Sequence, residues 1–500
     1  MHRAGNGKHL SARRLCSSFM IAPSATLDHS PEAPLELCRR AARRAGLEGR
    51  TVLAVWRVGL AGSAPLDPLT AVSALAQPGV YRFFWEHPSS GFALAAGDCA
   101  LALEGDGPER FKNVAEPLDA LMAGAEGESA AGEPPALPYA VGGFSFFDQL
   151  AAPDWLGFKP AQMVLPRWVL VREGTGERPT GQSAVLQAAL APGAAPEPAA
   201  RRMASDLARL RQTARASARP QPEPTGIRWA DQAGERGRWV ESVRAARGAI
   251  RAGELRKVVL ARIRDLVCAP APSAETMLGR LRSAYPNCYS FLVDAGTERV
   301  FLGATPERLA RQEHGRVLLG ALAGTMPRGA GPQADEALAQ ALLNSPKERQ
   351  EHAIVVEAIL EAVAPLGTVH RPEGPRLRRY TNVQHLFTPI TLAPSAPLSL
   401  LMLVGRLHPT PAVGGYPRAR ALDIIRSTED FDRGWYAGPV GWLNGAGRGE
   451  FAVALRSGLI QGGRVRLFAG GGIVAESDPE REYEETQIKF QPLLAALGQE

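Results

Sequence analysis

Residues 469–490 read AGGGIVAESDPEREYEETQIKF, a glycine run passing into a glutamate-rich segment. Ser477, with Glu480 three residues on, forms a capping box, and Pro479 belongs in a first helical turn. The pattern predicts a helix over 479–497. Within it Glu482, Glu485 and Lys489 fall at i, i+3 and i+7, so one face carries all three. Upstream, FAVALRSGLIQGGRVRLFAGGGIV (451–474) reads as a hairpin turning at Gly462–Gly463. RLARQEHGRVLLGALAGT (308–325) reads as another, turning near Gly315, with a further helix over 334–363.

Two carboxylates on one helix face beside a glycine-rich approach suit a hard divalent cation, since magnesium takes a few carboxylates and keeps its other positions for water and substrate oxygens. SPKERQEHAIVVEAIL (345–360) presents a second such pair, Glu348 and Glu351, with Ile354, Val355 and Ala358 on the opposite side. A solvated face with an ion-pair ladder is the competing reading of either helix alone. In KVVLAR (257–262), Lys257, Val259 and Ala261 share one strand face. A lysine on an apolar face is desolvated enough to act as a base, unless it snorkels to water. In GEFAVALRS (449–457), Ala452 and Ala454 leave space beside Arg456, whose guanidinium fits a carboxylate as a bidentate fork. HPTPAVGGYP (408–417) is a shaped loop in which His408 serves backbone groups or chemistry.

The chain has 500 residues, 45% hydrophobic and 22% charged, which excludes a disordered, collagen-like or coiled-coil protein. Its longest apolar run, Leu398–Val404, is far short of the roughly 18 residues a spanning helix needs. Five scattered cysteines without CxxC spacing fit neither a disulfide framework nor a zinc ribbon, and point to a reducing cytoplasm. A net charge of +6 raises nucleic acid as a partner, but the basic residues are dispersed. The densest cluster, Arg39, Arg40, Arg43 and Arg44, has the spacing of a solvated helix face, and a modest positive balance steers small anions equally well. No Walker loop, GxGxxG after a strand, GxSxG or HExxH occurs. Residues 1–30 read as an unstructured tail and 123–138 as a mobile loop. Pro/Ala-rich stretches at 192–199 and 219–225, flanking a helical segment 201–215, mark a junction between a variable 35–225 part and a 235–495 part.

Nine blocks in order through 235–495 resemble the chorismate-binding enzymes: KVVLAR, GATPERL, LAGT, EHAIVVEAI, QHL, HPTPAVGGYP, WYAGPVGW, GEFAVALRSG and AGGGIVAESDPEREYEETQIK. That family includes isochorismate synthases, salicylate synthases and the first components of anthranilate and aminodeoxychorismate synthases. FFWEHPSSGFALAAG (83–97) and YAVGGFSFFD (139–148) are similar to the more variable N-terminal part of isochorismate synthases. The resemblance implies an α+β fold, a large two-part antiparallel β-sandwich surrounded by helices, with the site between its halves. It implies that Lys257 activates a water attacking C2 of chorismate while Glu307 protonates the departing C4 hydroxyl. It assigns Mg²⁺ to Glu351 and Glu485, with Glu482 and Glu348 on metal-bound water. Substrate contacts fall to Gly324, Thr325, His385, Tyr436, Arg456, Gly470, Gly471 and Lys489.

Within the family, aminating enzymes lack the water-activating lysine, and aminodeoxychorismate synthases carry a second lysine in PIKGT where this chain has Ala323 in ALAGT. Lys257 present and lysine absent at 323 imply water as nucleophile. Salicylate synthases share Lys257 but eliminate pyruvate, and they usually lack the HPTPAxxG form of the loop. The resemblance therefore implies an isochorismate synthase, an isomerase serving menaquinone or catechol-siderophore synthesis. Salicylate synthase stands as the alternative and an aminating enzyme behind it. Chorismate is the expected partner, with no nucleic acid, membrane or obligatory glutaminase, in a monomer or weak dimer. Arg448 departs from the family in GRGEF, where an acidic residue is usual.

Overall fold

The computed structural model describes residues 32–60, 65–130, 132–175, 178–213, 224, 226–230, 234–381 and 383–499. The expected 1–30 tail lies outside them, as does nearly all of 219–225. Among the described residues, 23 strands form a 13-stranded and a 10-stranded sheet, with eleven α-helices around them. Every strand pairing is antiparallel except that of Val52–Gly59 with Glu126–Ser129. This is the expected α+β sandwich.

Strand alternation builds two cores at once, because successive side chains leave a strand on opposite faces. Phe83 and Trp85 enter the core between the sheets, with Phe291, Phe301, Phe451 and Phe468. Phe84, between them in sequence, faces outward to the second core, where Leu278, Phe490 and Leu493 bring helices against the larger sheet. The 35–225 and 235–495 parts share both sheets: Arg82–His87 pairs with Tyr289–Asp294, and Tyr139–Phe144 with Pro439–Asn444.

The Gly315 and Gly462 turns fall where the sequence puts them, both glycines with positive φ. Arg39, Arg40, Arg43 and Arg44 lie on the Glu32–Glu48 helix and pair with surface glutamates, including Glu36, Glu48 and Glu128. Several expectations need correction. The 334–363 helix is two, Pro332–Asn344 and Pro346–Val363, because Ser345 leaves helical geometry and its hydroxyl caps the Glu348 amide. The last helix, Pro479–Ala496, is capped by Asp478, whose carboxylate accepts from the Arg481 amide at 3.0 Å. Ser477 turns its hydroxyl to the Val474 amide instead. The 123–138 loop contains the strand Glu126–Ser129, and the Pro/Ala-rich 192–199 stretch already starts a helix at Pro196.

The 451–474 segment is not one hairpin. Gly449–Val453 belongs to the smaller sheet and Ser457–Gln461 to the larger, with Arg456 at φ 48° in the crossing. A second crossing lies beside it, where Arg299–Thr305 leaves the larger sheet and Arg308–Glu313 joins the smaller. These crossings frame a cavity between the sheets.

Candidate active site

The first wall is the Lys257–Ala269 strand. It pairs with Arg464–Ile473 on one side and, at its start, with Gly415–Tyr416 of the HPTPAVGGYP loop. The Arg256 amide donates to the Tyr416 carbonyl and the Val259 amide to Gly414, each at 2.8 Å. A Cβ on Gly415 would stand 2.3 Å from the Lys257 carbonyl oxygen, so only glycine permits this approach. Lys257 is fully buried, not snorkelled. Its Nζ lies 2.8 Å from Glu351 Oε1, close enough for an ion pair but off the line of a hydrogen bond.

The Gly470–Gly472 run makes room for four polar side chains. A Cβ on Gly470 would meet the Tyr436 hydroxyl at 3.1 Å, and one on Gly471 would meet Glu482 Oε2 at 3.2 Å. On Gly472 it would stand 2.6 Å from Glu351 Oε1 and 3.1 Å from Lys257 Cε. Tyr436 is itself buried and stacks on Phe468 at 5.0 Å.

Glu307 occupies the crossing into the smaller sheet. Its amide donates to the Thr305 hydroxyl and its carbonyl accepts from the Val453 amide. Burial pushes its carboxyl up to about 7, the Lys257 charge opposing. Arg456 lines the cavity from the other crossing. Burial lowers its pKa, and its guanidinium makes no ion pair among the described residues. The smaller sheet contributes Ala323, Gly324, Thr325 and His385. The Thr325 hydroxyl is 3.0 Å from His385 Nδ1, burial lowers the ring's pKa to about 3, and its buried Nε2 has no hydrogen-bond partner among the described residues.

Two helix starts bring the glutamates. Glu348 Oε2 accepts from the Thr325 amide at 3.0 Å, and its carboxyl rises to about 7 through burial and the neighbouring Glu351. Glu482 is buried and raised by burial and by Glu485. Burial works on Glu485 too, but Lys489, 2.6 Å away, holds it below the usual range. Lys489 also donates to the Gly470 carbonyl at 2.7 Å. Among the described residues no three carboxylate or imidazole groups form a ready metal cage. The donor set nevertheless fits a hard cation: two helix starts bring four carboxylates to one cavity, the Glu348 carboxyl is raised in part by Glu351 and that of Glu482 by Glu485, and a divalent ion relieves that repulsion.

The cavity lining includes Glu307, Gly324, Thr325, Glu348, Glu351, His385, Tyr436, Arg456, Gly470, Glu485 and Lys489. Lys257, Gly471 and Glu482 stand one layer behind, against lining residues Gly472, Glu351 and Lys347. His408 is not at the cavity; its Nε2 meets the Phe146 carbonyl at 3.1 Å. Arg448 is equally remote, paired with Glu173 and Glu313. Two site features escaped the sequence reading. Arg433 is 1% exposed, paired with Glu429 at 2.5 Å, and donates to the Val259 and Val413 carbonyls. It thereby pins the Lys257 strand to the loop, and its place just before WYAGPVGW was the only signal. Lys347, beside the noticed Glu348, bridges to Glu482 at 3.3 Å.

The model of the family described as chorismate binding enzyme matches residues 50–498. The salicylate biosynthesis isochorismate synthase of Pseudomonas aeruginosa is 41% identical over 438 residues, covering 87% of this chain and 88% of that protein. The isochorismate synthase MenF of Bacillus subtilis is 43% identical over 263 residues, 52% of this chain and 56% of that protein. Among solved structures, the menaquinone-specific isochorismate synthase MenF of Escherichia coli superposes with a TM-score of 0.72 at 26% identity, over 94% of this chain and all of that one. With that match running through both sheets and every block around the cavity, the chain belongs to the chorismate-binding enzyme family.

Proposed function

We propose that this protein is an isochorismate synthase, converting chorismate reversibly to isochorismate by adding water at C2 and losing the C4 hydroxyl. The observation that carries the reading is the pairing of Lys257 and Glu307 about one cavity. One is a buried amine beside Glu351, the other a buried carboxyl raised to about 7. The reaction requires a base and a protonated acid about one ring. Lys257 takes the proton of the attacking water, and Glu307 gives one to the leaving hydroxyl. Arg456, which makes no ion pair among the described residues, receives the enolpyruvyl carboxylate with Tyr436 beside it. Thr325, His385 and Lys489 orient the ring and its substituents. Glu348, Glu351, Glu482 and Glu485 would hold Mg²⁺, which when bound neutralises the ring carboxylate. Ala323 lines the cavity where a covalent-adduct lysine would stand, which supports water as the nucleophile.

The relatives' names point to menaquinone and salicylate synthesis as outlets for the product. Incubating the purified chain with chorismate and Mg²⁺ should yield isochorismate, resolved by retention and mass, without pyruvate. Stoichiometric pyruvate would replace this reading with salicylate synthase, and anthranilate formed with ammonia would replace it with an aminating enzyme.

A further inference from the structure

Lys347 is the second residue of the Pro346–Val363 helix and stands between carboxylates of two helices. Its Nζ donates to Glu482 Oε1 at 3.3 Å and lies 3.6 Å from Glu348 Oε1. Glu482 is 3% exposed and Glu348 largely buried, while Lys347 retains about a third of its side-chain surface at the cavity wall. The other two cavity glutamates also have lysines: Lys257 on Glu351 and Lys489 on Glu485. These two differ from Lys347, because each is anchored elsewhere, Lys257 within its strand and Lys489 on the Gly470 carbonyl. Lys347 makes no ion pair or hydrogen bond beyond the glutamates among the described residues.

We infer that Lys347 is a tethered counter-ion of the carboxylate cluster, holding Glu348 and Glu482 together and competing with a divalent cation for them. The inference rests on the metal reading above and adds a residue that sets how tightly that cation is held. Four carboxylates brought together on two separate helices repel one another at close range in a partly desolvated cavity. An ammonium on a flexible stem offsets that repulsion and can swing out when a doubly charged ion arrives.

The test is Mn²⁺ binding to the full chain without substrate, read by titration calorimetry and by loss of the free Mn²⁺ paramagnetic signal. Lys347→Met keeps the stem and removes the charge, and Lys347→Arg keeps the charge. Lys347→Met should bind Mn²⁺ about tenfold more tightly than the unaltered chain, a direction set by removing a nearby positive charge. With EDTA present it should melt lower than the unaltered chain, and saturating Mn²⁺ should erase the gap. Lys347→Arg should stay within twofold of the unaltered chain in Mn²⁺ affinity. Equal or weaker Mn²⁺ binding by Lys347→Met would overturn the competition while leaving the metal reading intact. No binding to the unaltered chain at millimolar Mn²⁺ would overturn both. Should Lys347→Met not fold, Lys347→Gln repeats the same comparison.

Discussion

Glu307 is a carboxyl whose burial shifts it from 4.5 to about 7, so the folded state binds its proton more tightly than the unfolded chain does. A raised acid makes stability fall as pH rises from about 4.5 through about 7, because over that window the unfolded chain releases the proton that the folded state still holds. A shift of that size corresponds to roughly 3 kcal/mol. Glu307→Gln should therefore be more stable than the parent at pH 8 and gain nothing at pH 4, as measured by denaturant melts. The same substitution should cut turnover about 100- to 10,000-fold, the usual contribution of a positioned acid. Lys257→Ala should lose a similar factor in kcat. Lys257 was legible from its place on a patterned strand, whereas Glu307 was legible only through the GATPERL block of the family resemblance. Arg433 was not, because its place just before WYAGPVGW does not show that an arginine there is buried against two carbonyls and Glu429.

Helix Pro479–Ala496 carries the site on one face and is held to the Lys257 strand by the other. Arg262 lies 4.3 Å from the Tyr483 ring and 4.9 Å from Phe490, while Arg264 lies 3.7 Å from Trp229. Arg236 adds a contact with Tyr483 at 5.2 Å, so cations and rings alternate along the seam. Arg262 also donates to the Thr486 hydroxyl at 2.7 Å and pairs with Glu235. Arg262→Met should lower the melting point by a few degrees, through loss of the Thr486 bond, the Glu235 ion pair and both ring contacts. The helix itself was readable from its start signals, one residue off in the cap. The break at Arg456 was not, because Phe451, Val453 and Leu455 keep strand alternation while the chain changes sheets. A pattern of period two says that a face is buried, not which sheet buries it.

Across the whole molecule, both sheets are completed by strands from each half of the chain. Removing residues 1–234 would strip Tyr289–Asp294 and Pro439–Asn444 of their neighbours and expose two long apolar edges. A 235–500 fragment should therefore aggregate or lack a cooperative melt, whereas the full chain should unfold in one transition. The C-terminal half was legible as motif and pattern because it supplies the cavity. The N-terminal half supplies sheet and core, for which many apolar sequences serve equally, so its strands could be seen but not their partners. Tying the halves together keeps Lys257 and Glu307 in a fixed relation about the cavity, and the proposed roles of the two make water from solvent the nucleophile. Isochorismate formed at early times in ¹⁸O-water should carry the solvent's label at its C2 hydroxyl. Product with unlabelled oxygen there, moved from C4 within the molecule, would contradict the account.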